Sequence, residues 1–239
     1  MYALDLSRRP PRTMTNLDPI LAALRLPRQL ATPLHRYVAL FLKWNASINL
    51  SAARSEGAVV EHVVDCLHLV PHVRAATHDP AATHDPARGA PRLLDVGAGG
   101  GLPAVVIAIT VPELQVTALE PVHKKHAFLR TAARELGLTN LEPLALRLED
   151  HPQRGYTVAV SRATLDLRDW LLVGLRHVQP GGTVFGFEAM PRNDLPSGTC
   201  RYPYTHLDKT RAIVALQRPI APEPPAGNPT SAPPTSEFP

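Results

Sequence analysis

Asp95–Gly101 reads D-V-G-A-G-G-G, an acid opening a string of glycines. Glycine takes positive φ without a Cβ penalty and lets the backbone come close to a ligand. Where such a run joins a strand to a helix, N–H groups of the first helical turn can face polar atoms of a bound nucleotide. Glu120 lies 19 residues beyond Gly101, at the end of a second apolar run. From there a carboxylate can accept the two hydroxyls of a ribose. Together these residues read as a nucleotide-cofactor loop. Other groups are weaker as chemistry. His62 and Asp65 are three apart on one helical face, where an intrahelical hydrogen bond serves as well as a catalytic pair. Residues 76–87 carry A-T-H-D-P-A twice. Each His-Asp pair there precedes a proline and lacks an apolar face, so a tolerant surface loop is expected rather than a metal site. Cys66 and Cys200 are the only cysteines, which gives neither a disulfide framework nor a CxxC metal signature.

The elements that must position the loop can be traced along the chain. A helix is expected from Thr32 as N-cap and Pro33 at its first position, with Leu34, Val38, Phe41 and Leu42 on one face. Ser55 opens a second, apolar along Val59, Val60, Val63, Val64, Leu67 and Val70, with Pro71 expected to end it. After Arg92 the pattern alternates. Leu93–Val96, Gln115–Glu120, Leu144–Leu148, Thr157–Ser161 and Thr183–Phe187 are predicted strands. Pro103–Thr110, Val122–Leu136 (closed by Gly137) and Leu167–Val178 are predicted helices. Alternation of this kind implies a parallel, doubly wound sheet. Arg201–His206 and Arg211–Gln217 add an antiparallel hairpin, for an α/β fold of seven strands, Rossmann-like, with a small helical N-terminal subdomain. The predicted division is a disordered basic arm over 1–15 and helices over 16–75. The repeat loop covers 76–91, the cofactor domain 92–218, and a proline-rich disordered tail 219–239.

The 239 residues carry a net charge of +4, a pI near 9.3 and a 44% hydrophobic fraction. That suits a globular chain with a real core, and polyanionic partners are favoured without being proved. All basic residues but Lys43, Lys124, Lys125 and Lys209 are arginine, through phosphate-binding chemistry or through codon usage. No apolar run reaches membrane-spanning length. Ser7-Arg8-Arg9 is followed by prolines instead of a hydrophobic segment, so no export signal is read and a cytoplasmic setting is expected.

The loop fits two registers. Asp95, Gly97, Gly99 and Gly101 match the D-x-G-x-G-x-G loop for S-adenosylmethionine. Gly99–Ala104 also fits the G-x-G-x-x-A pattern of NAD(P)-dependent oxidoreductases. The opening acid, the terminal hairpin and the lack of a second mononucleotide half favour the methyl donor. With K-W-N-x-x-x-N-L at Lys43–Leu50, H-V-V-D at His62–Asp65 and D-V-G-A-G-G-G-L-P at Asp95–Pro103, the chain resembles the RsmG (glucose-inhibited division protein B) family of 16S ribosomal RNA guanine-N7 methyltransferases. K-K-x-x-F-L at Lys124–Leu129, R-L-E at Arg147–Glu149 and S-R-A at Ser161–Ala163 continue the likeness. The resemblance implies that Gly97 and Leu102 touch the cofactor and that Leu148 and Glu149 border the adenine. It places Arg162 near both the cofactor and the incoming base, and associates Asn49, Arg147 and Arg162 with activity. It also implies 16S rRNA or the small ribosomal subunit as substrate; a monomer is expected, and since N7 needs no base to free its lone pair, no metal is expected. Simpler roles compete: Asn49 can hold a turn with its amide, and Arg147 can pair with Glu149 or Asp150. One departure stands out. Where the family has lysine-glycine after the fifth strand, this chain has Glu188-Ala189. A carboxylate there is expected to repel phosphate, which opens a reading in which rRNA activity is altered or lost.

Overall fold

The structure is a computed structural model that describes residues 16–78 and 90–220. The predicted basic arm, most of the duplicated His-Asp-Pro stretch and all but the first two residues of the proline-rich tail lie outside the described residues. Three helices come first: α1 (Asp18–Ala23), α2 (Ala31–Ile48) and α3 (Glu56–His78). α2 grows directly out of a 3₁₀ turn over Arg28–Leu30, so the helix begins before Thr32, which is not its cap. Ser55 does cap α3, its hydroxyl accepting from the Ala58 N–H at 3.2 Å. α3 runs through Pro71 to His78. A proline removes one backbone donor, but α3 buries Val59, Val63, Leu67, Leu69, Val70 and Val73, and that packing outweighs the local penalty.

The sheet has the order β3-β2-β1-β4-β5-β7-β6, with β1 Arg92–Val96, β2 Gln115–Leu119, β3 Leu141–Leu144, β4 Tyr156–Ser161, β5 Val178–Glu188, β6 Cys200–His206 and β7 Lys209–Gln217. β1 to β5 pair in parallel, and β7 pairs antiparallel with both β5 and β6. The remaining helices are α4 (Ala104–Thr110), α5 (His123–Leu136) and α6 (Leu167–Gly174). Alternate strand residues face opposite layers. Leu93, Val116 and Val158 join α2–α5 in one core, whereas Leu94, Leu119 and Ala159 join Trp170 and Leu171 of α6 in another.

Three predicted boundaries need correction. The third strand is Leu141–Leu144, not Leu144–Leu148. It contains Pro143, which an edge strand tolerates because alternate N–H groups point away from the sheet. Arg147, Leu148 and Glu149 therefore sit in a turn, with Asp150 N–H donating to Arg147 O and His151 N–H to Leu148 O. α6 ends at Gly174, and Val178 already belongs to β5, which carries Pro180-Gly181-Gly182 within it at a shift of register against β4. The hairpin turn is only Leu207-Asp208, both at positive φ (48° and 60°), as a two-residue turn requires.

Candidate active site

The glycine loop is locked by its own polar groups. Gly97 and Ala98 N–H donate to Leu119 O at the end of β2, at 3.0 and 2.9 Å, and Gly101 N–H donates to Ala98 O at 2.7 Å. Gly99 N–H donates to Glu120 Oε2 and Val122 N–H to Glu120 Oε1, each at 2.8 Å. Asp95 is fully buried, and its Oδ2 accepts from Ala104 N–H at 2.9 Å at the start of α4. Its Oδ1 has no partner among the described residues. Burial pushes the Asp95 carboxyl up to about 7. The N–H groups expected to face a ligand are thus largely spent within the protein, and the first turn of α4 is faced by a carboxylate. A pyrophosphate needs the opposite, free donors and no anion. S-adenosylmethionine has no phosphate and suits the loop better.

The glycines are needed for shape. Gly97, Gly99 and Gly101 have φ of 70°, 56° and 84°. A Cβ on Gly97 would lie 2.2 Å from Thr164 Oγ1, whereas one on Gly99 would meet nothing closer than the Gly97 carbonyl at 3.8 Å. Gly99 therefore keeps open the space into which a ligand fits. That space is a cleft of about 420 Å³ lined by Gly97, Gly99, Leu102, Glu120 and Arg162 of the expected set. Leu50, Ser51, Lys125 and Thr164 complete its rim and Phe41 its floor. Helix α2 fixes the floor: Tyr37 Oη donates to Gly100 O at 2.6 Å, and the Phe41 ring packs edge-on against Phe128 at 5.9 Å. Tyr37, Ser51 and Thr164 were missed by the sequence reading. Phe41 was placed on the packed face of α2 without its link to the loop.

Several expected residues are not brought to this cleft. Asp95 and Gly101 lie behind it, supporting α4 and packing on Val105. Leu148 is buried in the core around α6, and Arg147 and Glu149 are exposed on their turn. Arg147 makes no ion pair among the described residues, so the expected pairing with Glu149 or Asp150 is absent there. Asn49 ends α2 in the left-handed conformation, and its Oδ1 accepts from Arg54 Nη2 at 2.5 Å. It shapes the turn that carries Leu50 and Ser51 and does not line the cleft itself.

Arg162 follows β4 and lines this cleft and a second cavity of about 270 Å³. Its Nη1 donates to His62 O at 3.2 Å and to Cys66 Sγ at 3.6 Å, and its guanidinium lies 5.9 Å from the Phe187 ring centroid. The second cavity is walled by α3 and α6, by the ends of β4 and β5, and by the hairpin. His62 and Asp65 do not bond to each other. Asp65 accepts instead from Tyr204 Oη at 3.0 Å and from Arg211 Nη1. Burial, then the nearby Arg162 charge, lowers the His62 pKa. Glu188 also lines this cavity, but as a buried carboxylate paired with Arg201 (Nε–Oε2 2.9 Å). The expected bare negative charge is not present, because the cation comes from the neighbouring hairpin.

A parallel sheet with a cofactor loop after β1, an acid after β2 and an antiparallel last strand defines a nucleotide-cofactor transferase of the S-adenosylmethionine type. Residues 31–195 match the family described as GidB, rRNA small subunit methyltransferase G, and the chain belongs to that family of S-adenosylmethionine-dependent methyltransferases. Similar curated proteins include Ribosomal RNA small subunit methyltransferase G of Burkholderia pseudomallei (strain 668), 38% identical over 197 residues, 76% of this chain and 80% of that one. The protein of the same name from Burkholderia multivorans (strain ATCC 17616 / 249) is 37% identical over 196 residues, 75% of this chain and 80% of that one. Among solved structures, TrmN from Thermus thermophilus aligns with a TM-score of 0.49 and 21% identity, over 65% of this chain and 48% of that one. Family membership decides between the two glycine registers in favour of the methyl donor.

Proposed function

We propose that this chain transfers a methyl group from S-adenosylmethionine to N7 of a guanine in 16S ribosomal RNA, acting as a monomer on the small ribosomal subunit. The supporting observation is Arg162, which stands between a cleft suited to the donor and a separate cavity suited to an acceptor. Glu120 would accept from the ribose hydroxyls, a reading supported by its oxygens each taking one N–H, from Gly99 of the loop and from Val122 after β2. Gly97, Gly99 and Leu102, which line the same cleft, would border the rest of the cofactor. S-adenosylmethionine supplies a sulfonium-bound methyl that a neutral nitrogen lone pair can take. Guanine N7 has such a lone pair, so the protein need remove no proton. Its task is to hold N7 at near-attack distance and exclude water. Arg162, bonded to His62 O and lying beside Phe187, would orient the base edge. A base buried in RNA must be unstacked to enter the cavity.

The test is methylation of small subunits that lack the mark, using labelled cofactor, together with calorimetric titration of S-adenosylmethionine. Binding and transfer are both expected. Failure to bind would sink the donor assignment, and binding without transfer would sink the rRNA assignment.

A further inference from the structure

Charge in the second cavity constrains what it accepts. Glu188 ends β5 with its side chain 3% exposed. Its carboxylate accepts from Arg201 Nε at 2.9 Å, Arg201 Nη2 at 3.1 Å and the Arg192 N–H at 3.0 Å. An ionised carboxylate offers about four acceptor positions, so among the described residues one remains unspent beside the cavity. Arg192 offers no spare cation, because its guanidinium is bonded to Asp166 and Asp194. Three carboxylates therefore share two guanidinium groups at this end. On the opposite wall, Asp65 and Arg211 neutralise each other.

Asp166 and Asp194 stand outside the lining, and within it Arg162 is the cation left over once Glu188 is paired with Arg201 and Asp65 with Arg211. A flat neutral ring bringing hydrogen-bond donors would meet an unspent acceptor, with Phe187 and Trp170 in the same wall. Guanine carries N1–H and N2–H donors on the edge away from N7, whereas adenine presents an acceptor, N1, on that edge. Resting on the proposed rRNA activity, we propose that Glu188 determines base specificity in the acceptor cavity. Its free acceptor position takes a donor from the Watson–Crick edge of guanine while N7 points toward Arg162 and the donor cleft. Methylation leaves the ring cationic, and a fixed carboxylate on the far edge favours that charge.

The test uses the full chain saturated with S-adenosylhomocysteine and five-nucleotide RNAs, uridines flanking a central guanosine or adenosine. The guanosine RNA is expected to bind about tenfold more tightly, the size of one good base-edge contact. Glu188→Gln turns the free acceptor into a donor and is expected to erase that preference while the affinity for S-adenosylmethionine stays unchanged. Equal binding of the two RNAs by the wild type, or binding of neither, overturns the proposal even if the variant fails to fold. A folded Glu188→Gln variant that keeps the preference overturns it as well. Transfer to small subunits without base preference in the short RNAs would remove this proposal alone, and base preference without transfer would remove the rRNA assignment alone.

Discussion

The donor cleft is built mainly from one short stretch of chain. Asp95–Leu102 folds back on the end of β2, spends N–H groups on Leu119 and Glu120, and takes outside support from Tyr37 and Phe41 of α2 and from Thr164. The acceptor cavity is built the other way. Its walls come from α3, α6, β4, β5, β6 and β7, and its key ion pair joins Asp65 to Arg211 across 146 positions of sequence. Backbone makes the first site and side-chain pairs make the second. It follows that the donor site should respond sharply to added Cβ atoms, and the acceptor site to removed charges.

Arg162 belongs to both halves, so its loss should have the largest effect. Arg162→Ala is expected to lower transfer by about a hundredfold or more, the scale seen when a positioned charge-stabilising donor is removed, with a smaller loss of S-adenosylmethionine affinity. Single-turnover rates and calorimetry separate the two. Equal losses in both would show that Arg162 serves the donor cleft alone.

Removing Arg211 tests the acceptor half. Asp65 is buried and, among the described residues, accepts otherwise only from Tyr204. Arg211→Met should therefore lower unfolding stability by about 3 kcal/mol, the scale of an orphaned buried charge. Below the shifted melting transition, cofactor affinity should remain as in the wild type. A change in cofactor affinity as large as the change in stability would erase the distinction between the halves. The converse is Gly97→Ala. The residue has φ of 70°, and its Cβ would collide with Thr164. Left-handed backbone costs a non-glycine residue roughly 1–2 kcal/mol, and the cleft must also shift. S-adenosylmethionine affinity should fall about tenfold, on the scale of that strain, while the guanosine preference of the acceptor cavity survives.

The same contrast explains what the sequence made legible. Asp95, the glycines and Glu120 were readable because their partners are close in sequence or one strand away. Arg162 was readable from its place at a strand end. Tyr37 was not, since nothing in α2 indicates that its hydroxyl reaches Gly100. Asp65 appeared to belong with His62 because helical spacing was the only relation visible, whereas its true partners lie on a hairpin far along the chain. Glu188 looked like an anion facing RNA for the same reason: Arg201 becomes its partner only once β6 is laid beside β7. The β3 boundary failed on local chemistry, because a proline at an edge strand looks like a break. Arg147, Leu148 and Glu149 were displaced with it.

Asp95 offers a finer test of the donor half. It carries a buried carboxyl whose Oδ1 has no partner among the described residues, and burial raises it from 3.8 to about 7, against a lowering from the Ala104 N–H and Arg162 and with a smaller push from Glu120. Between those values the folded protein holds a proton that the unfolded chain has released. Stability from this group therefore falls as pH rises through the window and levels off above it. From pH 6 to pH 8 the loss should be about 1 kcal/mol, since only the unit of that span below the folded value contributes. His177, buried and lowered to about 4, gives the opposite slope at lower pH, so the contribution of Asp95 must be isolated by difference. Asp95→Asn keeps an oxygen for the Ala104 N–H and has no charge to bury. Denaturant unfolding of wild type and variant at pH 6, 7 and 8 should therefore show the wild type losing ground to the variant as pH rises. Parallel curves would mean that Asp95 is charged throughout and that its orphan oxygen has found a donor in solution, making the donor loop less dry than its hydrogen bonds imply.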